Sequence, residues 1–187
     1  YCRLTRVIRD IPGTDIVEGN KMTNFRQIVD QELARQNVRC MDIRAREIRQ
    51  KKVTADDLHL DEVWYDSTMS DEVFIQFITE DRQIAGFLRL SLPFKDEAPI
   101  TEELRDCAMI REVHVYGQAV GIGENDPGRA QHLGLGTQLI DHAVKLATDR
   151  GYTKLAVISA IGTREYYRKR EFRDHDLYQI RSLDEPD

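Results

Sequence analysis

Two hydrophobic periods share this chain of 187 residues. The stretches "RLTRVIRDIP" and "MDIRAREIR" set apolar side chains against arginine at alternate positions, and each predicts a strand. Between them, Phe25, Ile28, Val29 and Leu33 fall on one face of a helix predicted from about Phe25 to Gln36, with Thr23 or Asn24 as its cap. Further on, "LHLDEVWYDST", "DEVFIQFITED" and "QIAGFLRLSLP" predict three successive strands joined by turns, an antiparallel meander, and "AMIREVHVY" a fourth. A loop rich in glycine, "GQAVGIGENDPGRA", is long for a connection inside a domain. It leads into an amphipathic helix with Leu135, Leu139, Ala143 and Leu146 or Ala147 on one face, ended by Gly151. "YTKLAVIS" predicts a buried strand, "TREYYRKR" a short helix and "DLYQIRSL" a last strand.

Charge divides the chain where the pattern changes. Residues 1–52 carry a net charge of +5 and the remainder −11, within an overall −6. A boundary is expected near Lys52, between a basic extension (1–52) and an acidic globular body (53–187). Arg44, Arg46, Arg49, Lys51 and Lys52 are the candidates for contact with a polyanion. Three scattered cysteines, Cys2, Cys40 and Cys107, form no close pair and point to reduced thiols in a cytoplasmic setting. No apolar run approaches the ~20 residues of a membrane span, so no membrane partner is expected. The abrupt, strand-like beginning suggests a piece of a longer chain.

The chemistry concentrates at "QHLGLGTQLI". Glycine is costly inside a helix, yet Gly134 and Gly136 stand at its first turn. The free amides of such a turn, with the helix dipole, make an anion site, and bare glycines let a pyrophosphate reach the backbone. The amides of Leu133 to Thr137 are the expected donors. Gly134 and Gly136 are not part of a GxGxxG fingerprint, and no Gly-Lys-Ser/Thr of a phosphate-binding loop occurs. Glu112 and His114 fall on one face of their strand by its period of two, as candidates for a base or as a polar surface pair. His132 and His142 lack metal-ligand spacing and read as structural or surface residues; no metal is expected.

The pattern Gln131-x-x-Gly134-x-Gly136 resembles the Q/R-x-x-G-x-G/A signature of the GCN5-related N-acetyltransferases, which cradles the pyrophosphate of acetyl-CoA. The resemblance implies an α/β (α+β) fold, with a mixed, mostly antiparallel central sheet flanked by helices. It implies a cofactor cradle over Gln131, His132, Leu133, Gly134, Leu135, Gly136 and Thr137. It also implies a strand bulge exposing amides to the thioester around Val113, His114, Val115 and Tyr116. A tyrosine on the short helix serves as proton donor to the departing thiolate, so Tyr166 and Tyr167 are both candidates, one of them only packing.

"RVIRDIP", "CMDIRAREI", "REVHVYG", "QHLGLGTQLI" and "AVISAIGTREYYRK" together resemble the Elongator catalytic subunit family, from the first residues to about Lys169. Members join a radical SAM domain to an acetyltransferase-like domain and attach an acetyl-derived carboxymethyl group to C5 of the wobble uridine of tRNA. Acetyl-CoA and tRNA are thereby implied as partners, with tRNA binding weak for this chain alone. The chain has no CxxxCxxC cluster, so SAM and an iron–sulfur cluster belong to the missing domain. The family's zinc site would leave Cys2 and Cys40 as remnants. Where the family reads I/L-G-Y after the paired tyrosines, this chain reads Arg170-Glu171-Phe172, which puts the turn there in question. The rival readings are a protein or small-molecule N-acetyltransferase and a non-catalytic acetyl-CoA sensor.

Overall fold

The computed structural model describes residues 1–3, 13–19, 21, 25–49, 53–96, 98–116 and 134–184. The first expected strand beyond its opening residue, the helix cap at Thr23 or Asn24, the glycine-rich loop, and Gln131, His132, Leu133, Lys51 and Lys52 lie outside them. Two compact units divide between Glu47 and Ile48.

The first unit holds α1 (Phe25–Arg35), which matches the apolar period that predicts it. Residues 41–49 are not the expected strand. A single 3-10 turn occupies Ile43–Ala45, because the Asp42 carboxylate accepts the Arg44 amide at 2.9 Å and caps it. Burial pushes the Asp42 carboxyl up, but the Cys40 thiol, Arg26 and that amide outweigh it and hold it below its ordinary value. The apparent alternation of "MDIRAREIR" therefore does not make a pleat: Ile43 is buried on this turn.

The second unit is a seven-stranded sheet. Its strands are β1 (His59–Asp66), β2 (Ser70–Ile78), β3 (Ile84–Pro93), β4 (Cys107–Val115), β5 (Lys154–Val157), β6 (Arg173–Asp174) and β7 (Gln179–Ser182). Their order in the sheet is β1-β2-β3-β4-β5-β7-β6. The meander β1 to β4 is antiparallel as expected, and β5 joins β4 in parallel after a crossover through α2 (Leu135–Asp149). The two-residue β6 is too short to carry a period and was not expected. A short helix, α3 (Arg164–Arg168), sits between β5 and β6.

Core packing follows from the strand period. A β-carbon on Gly86 would meet Leu139 Cδ1 at 3.5 Å, which fixes the face of β3 covered by α2. Leu88, Leu90 and Leu92 share that face by alternation, and Leu135, Leu139, Ile140, Ala143 and Ala147 of α2 are buried. Ala147, not Leu146, completes the helix stripe. Gly151 ends α2 in the left-handed region, φ 75°, with its amide on Thr148 O and the Tyr152 amide on Ala147 O.

Candidate functional site

The start of α2 differs at its two glycines. Gly134 is the N-cap, with φ 65° and no side-chain cap, and a β-carbon there would meet nothing within 4 Å among the described residues. Its left-handed conformation selects glycine. Thr137 and Gln138 both donate to Gly134 O, at 2.9 and 3.1 Å. The amides of Leu135 and Gly136 precede any intrahelical acceptor. No acidic residue stands in the first turn to offset the positive end of the dipole.

Gly136 is bare for a different reason. A β-carbon there would stand 2.6 Å from Tyr166 Oη and 3.6 Å from Val115 Cγ2. The hydroxyl of Tyr166 thus lies directly over the first turn of α2, beside the end of β4. Tyr167 turns the other way. It is buried, its ring meets Phe172 edge-on at 5.5 Å, and burial pushes its phenol up to about 12. The two tyrosine rings stand perpendicular, 5.3 Å apart, so α3 sends one to the site and one into the core.

Arg170 completes this corner and was not anticipated as a site residue. Its guanidinium lies 3.5 Å above the Tyr166 ring, donates through Nη1 to Tyr166 O at 2.7 Å, and donates through Nη2 to the Thr137 hydroxyl. The signal available in the sequence was the departure at Arg170-Glu171-Phe172. Glu171 occupies the left-handed region there, φ 68°, so the turn keeps its shape without glycine.

The expected bulge of β4 lies upstream of its expected place. Register with β3 shifts between Arg89↔Glu112 and Leu90↔Ile110, which makes Arg111 the extra residue, while Val113, His114 and Val115 pair regularly with β3. Pairing of β4 with β5 stops at Ile110↔Val157. A bulge bends its strand, and here it coincides with the last residue before the two strands part. From Arg111 to Val115 the edge of β4 toward β5 therefore has no β5 partner among the described residues, and this parting, not a bulge at Val113, opens that edge.

Glu112 and His114 share the face of β4 opposite Val113 and Val115, and so stand across the strand from the Tyr166 hydroxyl. Glu112 is ion-paired with Arg89 at 3.1 Å. His114 stacks against Phe87 and meets Tyr116 at 4.5 Å between ring centroids. His142 bonds Glu62 at 2.6 Å and ties α2 to β1. A separate concavity of about 730 Å³, lined among others by Val144, Lys154, Phe172, His175 and Arg181, includes neither Tyr166 nor the first turn of α2.

Among the basic candidates, Arg44 and Arg49 are exposed. Arg46 is 4% exposed and donates through Nε to Met41 O at 3.1 Å, so it holds its turn and offers no charge to the surface. Cys40 donates its thiol to Asp42 Oδ2 at 3.1 Å.

Residues 39–172 match the Acetyltransferase (GNAT) family. Over 99% of its length the chain is 33% identical to Elongator complex protein 3 of Drosophila melanogaster, of which it covers 34%. It is 35% identical to a tRNA uridine(34) acetyltransferase of Dehalococcoides mccartyi (strain CBDB1), over 98% of this chain and 41% of that protein. Among solved structures, the archaeal Methanocaldococcus infernus Elp3 with its N-terminal residues 1-46 deleted is similar at a TM-score of 0.82 and 29% identity, over 95% of this chain and 43% of that one. The chain spans less than half the length of each of these relatives. With the family matched over most of the chain, and with its mixed sheet parting beside a glycine-started helix, this protein belongs to the GNAT acetyltransferase family and is an acyltransferase domain similar throughout its length to Elongator complex protein 3.

Proposed function

We propose that this chain is the acetyl-CoA-binding, acyl-transferring part of an enzyme that modifies the wobble uridine of tRNA. The observation that carries the reading is the Tyr166 hydroxyl over the first turn of α2, where an anion site and a proton donor adjoin. The amides of Leu135 and Gly136 would hold the pyrophosphate, aided by the dipole of a 15-residue helix. The open edge of β4 at Val113–Val115 would offer amides to the thioester arm.

Acyl transfer then balances with this chain's own groups. A nucleophile forms a bond to the carbonyl carbon, the carbon–sulfur bond breaks, and the sulfur takes its proton from Tyr166 Oη. The phenolate regains a proton from water. With water as nucleophile the products are acetate and the free thiol of CoA. Tyr167 has no part in this, because its ring is committed to Phe172. Carbon–carbon bond formation at uridine C5 lies outside what these residues can do. It belongs, in this reading, to the SAM- and iron–sulfur-dependent domain that the Elongator resemblance implies. The uridine assignment is supported by the similarity to the tRNA uridine(34) acetyltransferase of Dehalococcoides mccartyi, and tRNA contact is assigned to Arg44, Arg49, Lys51 and Lys52.

Calorimetry with acetyl-CoA and with acetyl-pantetheine, which has no pyrophosphate, tests the cradle without altering the protein. Charge-assisted bonds to backbone amides predict about 10²-fold weaker binding of acetyl-pantetheine. Equal affinity for the two would contradict the pyrophosphate assignment.

A further inference from the structure

Arg170 contacts both halves of the site described above, and the proposed acyl transfer does not use it. Its guanidinium carbon lies 3.5 Å over the centre of the Tyr166 ring while Nη1 donates to the carbonyl of the same residue, so ring and backbone are held together. Nη2 reaches across to the Thr137 hydroxyl in the first turn of α2. Its Nε–H is buried without a hydrogen-bond partner among the described residues. A buried N–H without a partner loses its hydration without recovering it in a new bond. An aliphatic residue, as the Elongator resemblance implies for this position, would fill the space without that cost.

We infer that Arg170 is a positioning residue for acyl transfer: it fixes the Tyr166 hydroxyl over Gly136 and aims the Thr137 hydroxyl at the bound anion. The second part follows from hydrogen-bond inventory. A threonine hydroxyl that accepts from a guanidinium has its single proton left to donate, and an anion bound at the helix start would accept it. The guanidinium also adds a fixed positive charge at the end of α2 where the dipole is positive. This inference rests on Tyr166 being the proton donor, and the experiment separates the two.

The experiment measures kcat and KM for tRNA-stimulated acetyl-CoA turnover in the full-length protein, for Arg170→Leu, Tyr166→Phe and the double variant, with Arg170→Lys as the conservative change. Leucine is the residue type that the resemblance implies at this place, so the variant should fold; circular dichroism and Tm check it. Arg170→Leu should lower kcat about tenfold or more, the size of effect that misplacing a catalytic group produces. The double variant should be no slower than Tyr166→Phe alone, because without the hydroxyl there is nothing left to position. KM for acetyl-CoA should rise several-fold on losing Arg170 in both backgrounds. Lysine keeps the charge but not the planar stack, so Arg170→Lys should recover KM more than kcat. An Arg170→Leu variant with full kcat overturns the inference, and so does an equal loss of kcat in both backgrounds, which marks packing alone. A silent Tyr166→Phe removes the acid assignment itself, a result read from that single variant, and takes the positioning role with it.

Discussion

At Gly136 the missing side chain makes room for the hydroxyl of another residue. An alanine there would gain helix propensity, roughly 1 kcal/mol over glycine, yet its methyl would stand 2.6 Å from Tyr166 Oη. The ring cannot yield without leaving Arg170, so Gly136→Ala should fail to raise Tm in the native background. In a Tyr166→Phe background the nearest ring carbon is at ordinary contact distance, 3.7 Å, and the same substitution should raise Tm. Differential scanning fluorimetry on the four proteins reads this sign change; a gain in both backgrounds would mean that the hydroxyl lies elsewhere. The two glycines were legible as a bare helix start, but their separate reasons were not. Gly134 answers to its own φ, and Gly136 to a side chain 30 residues away in sequence, which no local pattern reports. For the same cause the paired tyrosines could be placed but not told apart: the phase of α3 is set by Phe172 packing on Tyr167.

Among the elements, the turn after α3 carries a measurable strain. Glu171 has φ 68°, a conformation that costs a residue with a β-carbon about 1–2 kcal/mol. Its exposed carboxylate pairs with Arg181 at 2.6 Å, an ion pair of a kind worth roughly 0–1 kcal/mol. Glu171→Gly should therefore stabilise the domain by about 0.5 kcal/mol, seen as a rise in Tm and in the urea midpoint with an unchanged m-value. A lower Tm would show that the ion pair outweighs the backbone term. The meander, α2 and its C-terminal glycine followed directly from hydrophobic period and turn chemistry. Beyond the two-residue β6, two further features did not. Residues 41–49 alternate like a strand but obey the Asp42 cap, and the parting of β4 from β5 depends on a register shift at Arg111 that the sequence does not mark.

For the whole molecule, charge asymmetry supplies the expectation about nucleic acid. The basic extension contrasts with an acidic remainder, so tRNA contact is assigned to Arg44, Arg49, Lys51 and Lys52. Arg46 drops out of that set because it is buried on Met41 O. Charge counting treats every arginine as surface, and only the packed turn distinguishes this one. Neutralising the four in the full-length protein should weaken tRNA binding most at low salt. The slope of log K against log salt should become shallower by roughly 0.7–0.9 for each phosphate that the variant no longer neutralises. Parallel slopes for native and variant proteins would move the RNA surface to another part of the enzyme.

The central claim is that one of two adjacent tyrosines delivers the proton to the departing thiolate. Its most direct test is acetyl-CoA turnover by Tyr166→Phe and Tyr167→Phe in the full-length protein with tRNA, alongside acetyl-CoA affinity by calorimetry. Each change removes one oxygen and leaves the ring. Tyr166→Phe should reduce kcat about 10²-fold or more, the usual size of an acid–base contribution, with affinity within a few-fold of the native protein. Tyr167→Phe should keep nearly full turnover, since its hydroxyl serves neither helix start nor strand edge. The reverse order, or full activity in both, would contradict the account.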